Sequence, residues 1–533
     1  MTGLRGCLVD ARAAAGPRPV LCVIEHEHRD LEVAEAVAAG RFTHTGITCE
    51  LGLQPDWLGA DLPEDEEWRL DWVKFYYGLD LADAFRATGD RRYLDAWERL
   101  VASFIVQVPA DHDPSEVTAR RILNWLYAWQ RLPEAAIGEE LVESLREQAI
   151  HVRDHLTAER NHRTLELYAL LLTALALPDL VPSLQGLAVE QLHENLLTDF
   201  GVDGVHRERS THYHMVALRS FVGARENCRR FGVALPASFD ERLSRACDFA
   251  LHMRRPDGTI PALSDSDTGD YSELLELAAR LLARDDLRRA PAEGASFHDG
   301  GYHVQRAGEH YLIFDCGPLG DGGHGHYDAL SIEAWAGERA LVLDPGRFTY
   351  AEEEPNLRQW FRGTAAHNTV TVDGADQTPY ARSRSSLPSA EATFLGRDVR
   401  DGLDILCGEV RSPVYEAVHR RRVIFVDGAY WLIEDVLTGE RRHRYDLRFH
   451  LAPRHVSCTL HIKGARSLAL EDGWISPAYG VRHAAPVVSA VATGAHARFV
   501  TLLAPDTRVL ELDGDVARVG EDTIVLAERV TRR

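Results

Sequence analysis

Arg288-Arg289-Ala290-Pro291-Ala292-Glu293-Gly294 divides this chain of 533 residues into two parts of different character. A proline, a glycine and small or charged residues, with nothing large and apolar among them, make a natural linker. Upstream, apolar residues recur at helical spacing. Trp68, Trp72, Phe75, Tyr76, Leu79, Ala82 and Phe85 form one stripe, broken by Thr88-Gly89-Asp90, after which Tyr93, Trp97 and Leu100 begin another. Ile122, Trp125, Trp129 and Leu132 continue the series up to Pro133, followed by Leu165 to Leu177, Leu192 to Phe200 and Met215 to Phe231. Helices joined by short breaks imply antiparallel hairpins stacked as a bundle, a solenoid or a toroid. Downstream, short β-branched and aromatic runs take over: Tyr311 to Phe314, Ala340 to Leu343, Thr369 to Val372, Arg422 to Val426 and Tyr430 to Ile433. Asp373-Gly374 and Asp427-Gly428 supply hairpin turns. Many strands after many helices predict an α+β multidomain chain. The expected boundaries are 1–60 for an N-terminal segment that packs on the other domains, 61–288 for the helices and 295–533 for the strands.

The length exceeds what one ordinary core fills, and 45% hydrophobic with 26% charged residues is a globular composition. No apolar run approaches the ~20 residues of a membrane span. The apolar patch Val20 to Ile24 leads straight into Glu25-His26-Glu27-His28, unlike a signal peptide, so a cytoplasmic location is expected. Cys7, Cys22, Cys49, Cys228, Cys247, Cys316, Cys407 and Cys458 form no C-x-x-C pair and read as small buried thiols. A net charge of -23 repels polyanions, which excludes nucleic acid and anionic membrane as partners and weighs against a densely sulfated polymer.

Four clusters carry chemistry. Asn161-His162-Arg163-Thr164 stands at the edge of the Leu165 helix, where an amide, an imidazole and a guanidinium could hold an anion. A plain polar helix cap is the simpler reading there. The second cluster, Asp203 to His214, packs His206, His212, Tyr213 and His214 into nine residues. On a helix His212 and His214 diverge, which leaves Tyr213 best placed to face a cleft. A half-buried tyrosine anchored by its hydroxyl accounts for it as well. The third runs from Asp315 to Asp328, glycine-rich but lacking the Gly-Lys-Ser/Thr of a phosphate loop. On an extended segment His324 and His326 point the same way, a workable pair for a metal or for catalysis. Asp344-Pro345-Gly346 and Ala366-His367-Asn368-Thr369 form the fourth. Asp344 and His367 could complete a His/Asp/His zinc site with His326, or serve as a turn residue and a core histidine.

Taken in this order, the clusters resemble the heparinase II/III-like polysaccharide lyases, including the oligoalginate lyases, from about Phe42 to about Pro453. The residues that carry the resemblance include Arg121 with Asn124-Trp125, Asn161-His162-Arg163-Thr164, Glu208 with Tyr213-His214, Gly323-His324-Gly325-His326-Tyr327-Asp328, Asp344-Pro345-Gly346 with Tyr350, and His367-Asn368-Thr369-Val370. The resemblance implies an N-terminal (α/α) toroid followed by a C-terminal antiparallel β-sandwich. It also implies β-elimination on a uronate-containing oligosaccharide, giving a C4=C5 unsaturated product. In that chemistry Asn161 and His162 neutralise the uronate carboxylate, with His162 also available as base for one epimer; Tyr213 is base and acid for syn elimination or acid alone for anti, and His324 polarises Tyr213 or binds sugar. Arg121, Arg163, Glu208 and His214 are the implied substrate-binding residues. A structural zinc on His326, Asp344 and His367 is the implied cofactor, and a homodimer is compatible with the pattern. A second tyrosine found ahead of the His367 segment in some oligoalginate lyases is expected to be absent, since Trp360-Phe361 occupy that neighbourhood.

Two other functions compete. A glycoside hydrolase on a helical barrel needs two carboxylates about 5 to 10 Å apart, for which Glu208 with Asp265 or Asp267 are the candidates. A non-catalytic carbohydrate-binding homologue would keep the fold and lose the reaction.

Overall fold

The computed structural model describes residues 17–21, 30–60, 62–133, 138–381, 388–453 and 458–532. Cys7, Cys22 and Glu25-His26-Glu27-His28 lie outside the described residues. The chain forms two compact units. One comprises Met1–Asp199 and Val216–Asp240, the other Phe200–Met215 and Glu241–Arg533.

In the first unit several helices pack on the next but one along the chain. The helix Tyr77–Thr88 packs on Ser115–Trp129, which packs on Arg160–Ala176, while Arg91–Gln107 packs on Gly138–Asp154. Two layers of alternating helices are the (α/α) toroid arrangement. The burial pattern agrees: Ser115–Trp129 is buried on nearly every face, whereas Arg91–Gln107 buries only a stripe of Tyr93, Leu94, Ala96, Trp97, Leu100, Val101 and Phe104. Inner helices are apolar all round and outer ones amphipathic.

The stripe from Trp68 to Phe85 is two helices, Glu66–Val73 and Tyr77–Thr88. Phe75 breaks it by adopting a left-handed φ of 61°, a conformation that costs a non-glycine residue about 1–2 kcal/mol. Its ring is buried against Trp57, Phe104 and Trp125, which offsets that strain. Gly89 then ends the second helix at φ 70°, and the Asp90 carboxylate caps the next by accepting the Arg92 amide. Trp57 stacks on Trp72 with ring centroids 4.3 Å apart, so the segment before residue 60 contributes to this core.

The second unit is built on three antiparallel sheets. A five-stranded sheet (Ser296 to Val342) and an eight-stranded sheet (Val370 to Ala504) enclose a core of Leu312, Phe314, Ile332, Val423, Phe425, Trp431 and Ile433, among others. The opposite face of the larger sheet puts Ile424, Val426 and Leu432 against a four-stranded sheet carrying Leu510, Val519 and Ile524. Alternate residues of one strand therefore feed two cores, which is why Val423 to Val426 is continuously apolar. Asp427 and Gly428, like Asp373 and Gly374, all take positive φ, as tight hairpin turns require. The run expected at Tyr430 to Ile433 is the start of a strand reaching His450. Its polar middle, Gly439 to Arg442, interrupts the apolar signal, and the register shifts between Thr438 and His443.

Helix gives way to strand between Arg288 and Ser296, yet the compact units divide earlier than 288. The loop 200–210 belongs with the strands because Gly300 N–H donates to Asp203 and Tyr302 Oη donates to the Arg209 carbonyl. No helix among the described residues is long and apolar enough to cross a membrane.

Candidate active site and metal centre

Tyr213 lies in the first turn of the helix Thr211–Phe231. Ser210 Oγ accepts the Tyr213 amide at 3.2 Å, the role of a serine helix cap, and donates to the Asp265 carbonyl at 2.8 Å. The helix start is thereby tied to the loop carrying Asp265.

Asp265 organises what surrounds it. One carboxylate oxygen meets His324 Nδ1 at 3.0 Å, the other meets His326 Nε2 at 2.9 Å, and Arg358 donates to both oxygens. Burial alone would raise this carboxyl, but Arg358 and the two histidines hold it well below the usual range. The two histidines do face the same way, as period two demands. Gly325 separates them because a Cβ there would lie 1.8 Å from the Leu319 carbonyl oxygen. With Nδ1 engaged, His324 presents Nε2, 3.8 Å from Glu208, and its ring lies against Tyr213 with centroids 4.0 Å apart.

The Tyr213 hydroxyl is 2.8 Å from that of Tyr350, which accepts a hydrogen bond from Arg347 Nη1 at 2.7 Å. A second tyrosine is therefore present, correcting the expectation from Trp360-Phe361. It stands on the loop after Asp344-Pro345-Gly346, where the resemblance picks it out without giving it a role. Arg347 itself is paired with Asp267.

His326, Asp344 and His367 bring three potential ligand atoms within 4.8 Å of one another. The surrounding bonds fix the tautomers such a site needs. His326 gives its Nε2 to Asp265, and its buried Nδ1 has no hydrogen-bond partner. His367 donates Nε2–H to the Phe361 carbonyl at 3.0 Å and turns Nδ1 to Asp344 at 2.9 Å. Burial lowers His326 to about 4, so it is a neutral imidazole with a free lone pair. Burial also opposes charge on His367, yet Asp344 and Asp328 outweigh it and carry the ring up to about 9. An imidazole drawn to a proton by two buried carboxylates marks a place that calls for positive charge. The donor set fits a divalent cation.

Other expected site residues have different employment. Arg121 is fully buried, with Nη1 on Asp113 at 2.6 Å, Nε on Gln148 at 2.8 Å and a further bond to the Val73 carbonyl. His214 is fully buried too, its Nε2 on the Ala246 carbonyl at 3.0 Å and its ring near Phe200 and Phe249. Both are buried and hold helices together. Glu208 is 1% exposed and acts from beneath His324. Arg163 is engaged with the Thr157 carbonyl and Gln191, both at 2.8 Å, and Arg207 with Asp321 at 2.7 Å. Asn161 and the exposed His162 begin the helix Arg160–Ala176 of the toroid unit, where Asn161 Oδ1 accepts the His162 amide at 3.0 Å. The carboxylates a hydrolase would require are committed elsewhere: Asp265 to two histidines and Arg358, Asp267 to Arg347.

Two family models match the chain: "Heparinase II/III N-terminus" over residues 25–283 and "Heparinase II/III-like, C-terminal" over residues 289–518. A heparin-sulfate lyase of Bacteroides stercoris is 23% identical over 525 residues, covering 84% of this chain and 77% of that one. One from Pedobacter heparinus is 22% identical, covering 73% of this chain and 63% of its own length. Among solved structures, a heparinase III crystal structure has a TM-score of 0.80 at 17% identity, covering 99% and 94% of the two chains. A chondroitin AC lyase of Streptomyces coelicolor has 0.60 at 12%, covering 97% and 88%. These structures share the fold described above.

Proposed function

The chain belongs to the heparinase II/III family of polysaccharide lyases, and on that premise we propose that Tyr213 cleaves a uronate-containing oligosaccharide by β-elimination. The observation that carries this reading is a tyrosine whose ring packs on His324 and whose hydroxyl is bonded to a second tyrosine, while Asp265 and Asp267 are already paired with Arg358 and Arg347. The proton α to a uronate carboxylate is weakly acidic, so the reaction needs a base and a means of holding the enolate charge. Tyr213 takes the C5 proton and returns one to the leaving glycosidic oxygen at C4, forming the C4=C5 bond. His324, fixed by Asp265 through Nδ1 and with its ring against Tyr213, steadies the Tyr213 oxygen or a sugar hydroxyl. Asn161 and His162 are assigned the carboxylate by family resemblance.

Zinc is the proposed occupant of His326, Asp344 and His367, where it would supply a rigid structural link between three loops. Once the ion takes the place of the His367 proton, two imidazole nitrogens and a carboxylate are a zinc donor set. Within this chain Asp265 does the orienting: one oxygen fixes the His326 tautomer while the other holds His324.

The relatives are named for heparin sulfate. The net charge of -23, with Arg163 and Arg207 already engaged, favours a short and lightly charged oligosaccharide here. Incubation with heparin-, hyaluronan- and alginate-type oligomers of equal length, followed by ultraviolet absorbance of the new double bond, tests both levels. Absorbance with a lightly charged oligomer is expected. A saturated reducing end without absorbance would mean hydrolysis, and preference for heparin at low and moderate salt would reverse the substrate assignment.

A further inference from the structure

Arg347 has no part in the chemistry above, yet it is 7% exposed and aimed at the reacting hydroxyls. Its Nε and Nη2 donate to the two oxygens of Asp267 at 2.9 and 2.7 Å, a forked pair that fixes the guanidinium plane. The remaining Nη1 donates to Tyr350 Oη at 2.7 Å. An arginine donates and never accepts, so it occupies a lone pair of the Tyr350 oxygen. Among the described residues the structure gives the Tyr350 O–H a single acceptor, the Tyr213 oxygen 2.8 Å away.

We propose that Arg347, held by Asp267, is a positioning residue that fixes the direction of the hydrogen bond between the tyrosines. Tyr350 donates to Tyr213, and Tyr213 is the hydroxyl that loses its proton. This rests on the reading of Tyr213 as the proton carrier. Above the rising pH limb the Tyr213 proton has left to solvent, the substrate C5 proton replaces it, and Tyr350 stays protonated throughout. The electrostatics run the same way. Burial, with Asp265 and Glu208, holds Tyr213 above the usual tyrosine range, and the Arg347 charge and the Tyr350 hydrogen bond pull it part of the way back. Tyr350 is pushed well above the usual range by burial, by Asp265 and by Tyr213 itself. His324 and His212 complete the ring of polar groups facing Tyr213.

The test compares Arg347→Met, Tyr350→Phe and the double variant. One readout is the pH dependence of kcat/KM. The other is tyrosinate absorbance of the resting protein, taken as the difference from Tyr213→Phe. With Arg347→Met the rising limb is expected to move up by about one pH unit, a loss of roughly tenfold below the limb that recovers at higher pH. Adding Arg347→Met to Tyr350→Phe should move it by less than Arg347→Met does alone, because the relay is already cut and only the direct charge of Arg347 remains to be lost. A limb that stays in place, a loss equal at every pH, or a full shift persisting without Tyr350 overturns the proposal. Should Arg347→Met fail to fold, Arg347→Lys keeps the charge without the fork to Asp267 and is held to the same outcomes. If no glycan is cleaved, the functional reading fails, while the substrate-free titration still decides the relay.

Discussion

Arg121 in the toroid unit and Arg347 in the strand unit are both buried and both paired with an aspartate, the first through one nitrogen and the second through a fork. The difference lies in the donors left over. Arg121 distributes the rest of its guanidinium over Gln148, Thr118 and the Val73 carbonyl, groups that belong to the scaffold. Arg347 has one nitrogen to spare after Asp267 and points it at a hydroxyl that touches Tyr213. A buried ion pair is thus a fastening in the first case and a setting for chemistry in the second, and the partner of the last donor decides which.

The contrast breaks most visibly if the tyrosines are mere fastenings as well. Tyr213→Phe keeps the ring against His324 and removes only the hydroxyl. Turnover is expected to fall by about 10²- to 10⁴-fold with the melting temperature unchanged; unchanged turnover would make Tyr213 a packing residue. Arg121→Met tests the other side. Removing one partner of a buried pair strands Asp113, costing about 3–5 kcal/mol of stability. Turnover per folded molecule should hold, and a rate defect without a stability defect would restore Arg121 to the substrate. Chelation probes the centre at His326, Asp344 and His367. Elemental analysis should find zinc, and stripping it should cost roughly 3 kcal/mol when the ion stood at a hundredfold excess over its dissociation constant. Protein with no bound metal and no response to chelator would leave those residues as a hydrogen-bonded core.

Much of this was legible in the sequence because it is periodic or local. Alternation put His324 and His326 on one side, and a single carboxylate between them proves the point. Asp373-Gly374 and Asp427-Gly428 announced their turns, and Gly89 its helix end. What stayed hidden depends on long-range closure. Tyr350 meets Tyr213 across 137 positions, and Arg358 meets Asp265 across 93, distances no spacing rule spans. Arg121 and His214 failed differently, since motif order gives identity without depth. A local signal was there for Arg121: Ile122, Leu123, Trp125 and Leu126 follow it on all faces of one helix, and a helix apolar all round has no face for substrate. Phe75 shows the reverse error, where an unbroken stripe concealed a backbone break whose left-handed φ leaves no mark in the apolar spacing.

The smallest expected effect concerns His214, and it separates a buried histidine from a catalytic one by the quantity that depends on pH. Burial lowers His214 to about 3, so the native ring stays neutral where an unfolded one, near 6.5, takes a proton. Its contribution to stability is complete above pH 6.5, shrinks as the pH falls, and is gone at about 3. The slope cannot exceed about 1.4 kcal/mol per pH unit for one proton. His214→Phe deletes this titration, so the variant should lose stability less steeply on acidification, while forfeiting the bond to Ala246 at a cost of about 1 kcal/mol. Some slope must survive, because His303 and His450 are likewise lowered by burial to about 3. Denaturant titrations at several pH values measure the difference, and the pH profile of turnover should be identical in both proteins. A profile displaced by His214→Phe would put this ring in the reaction and not in the packing of Phe200 and Phe249.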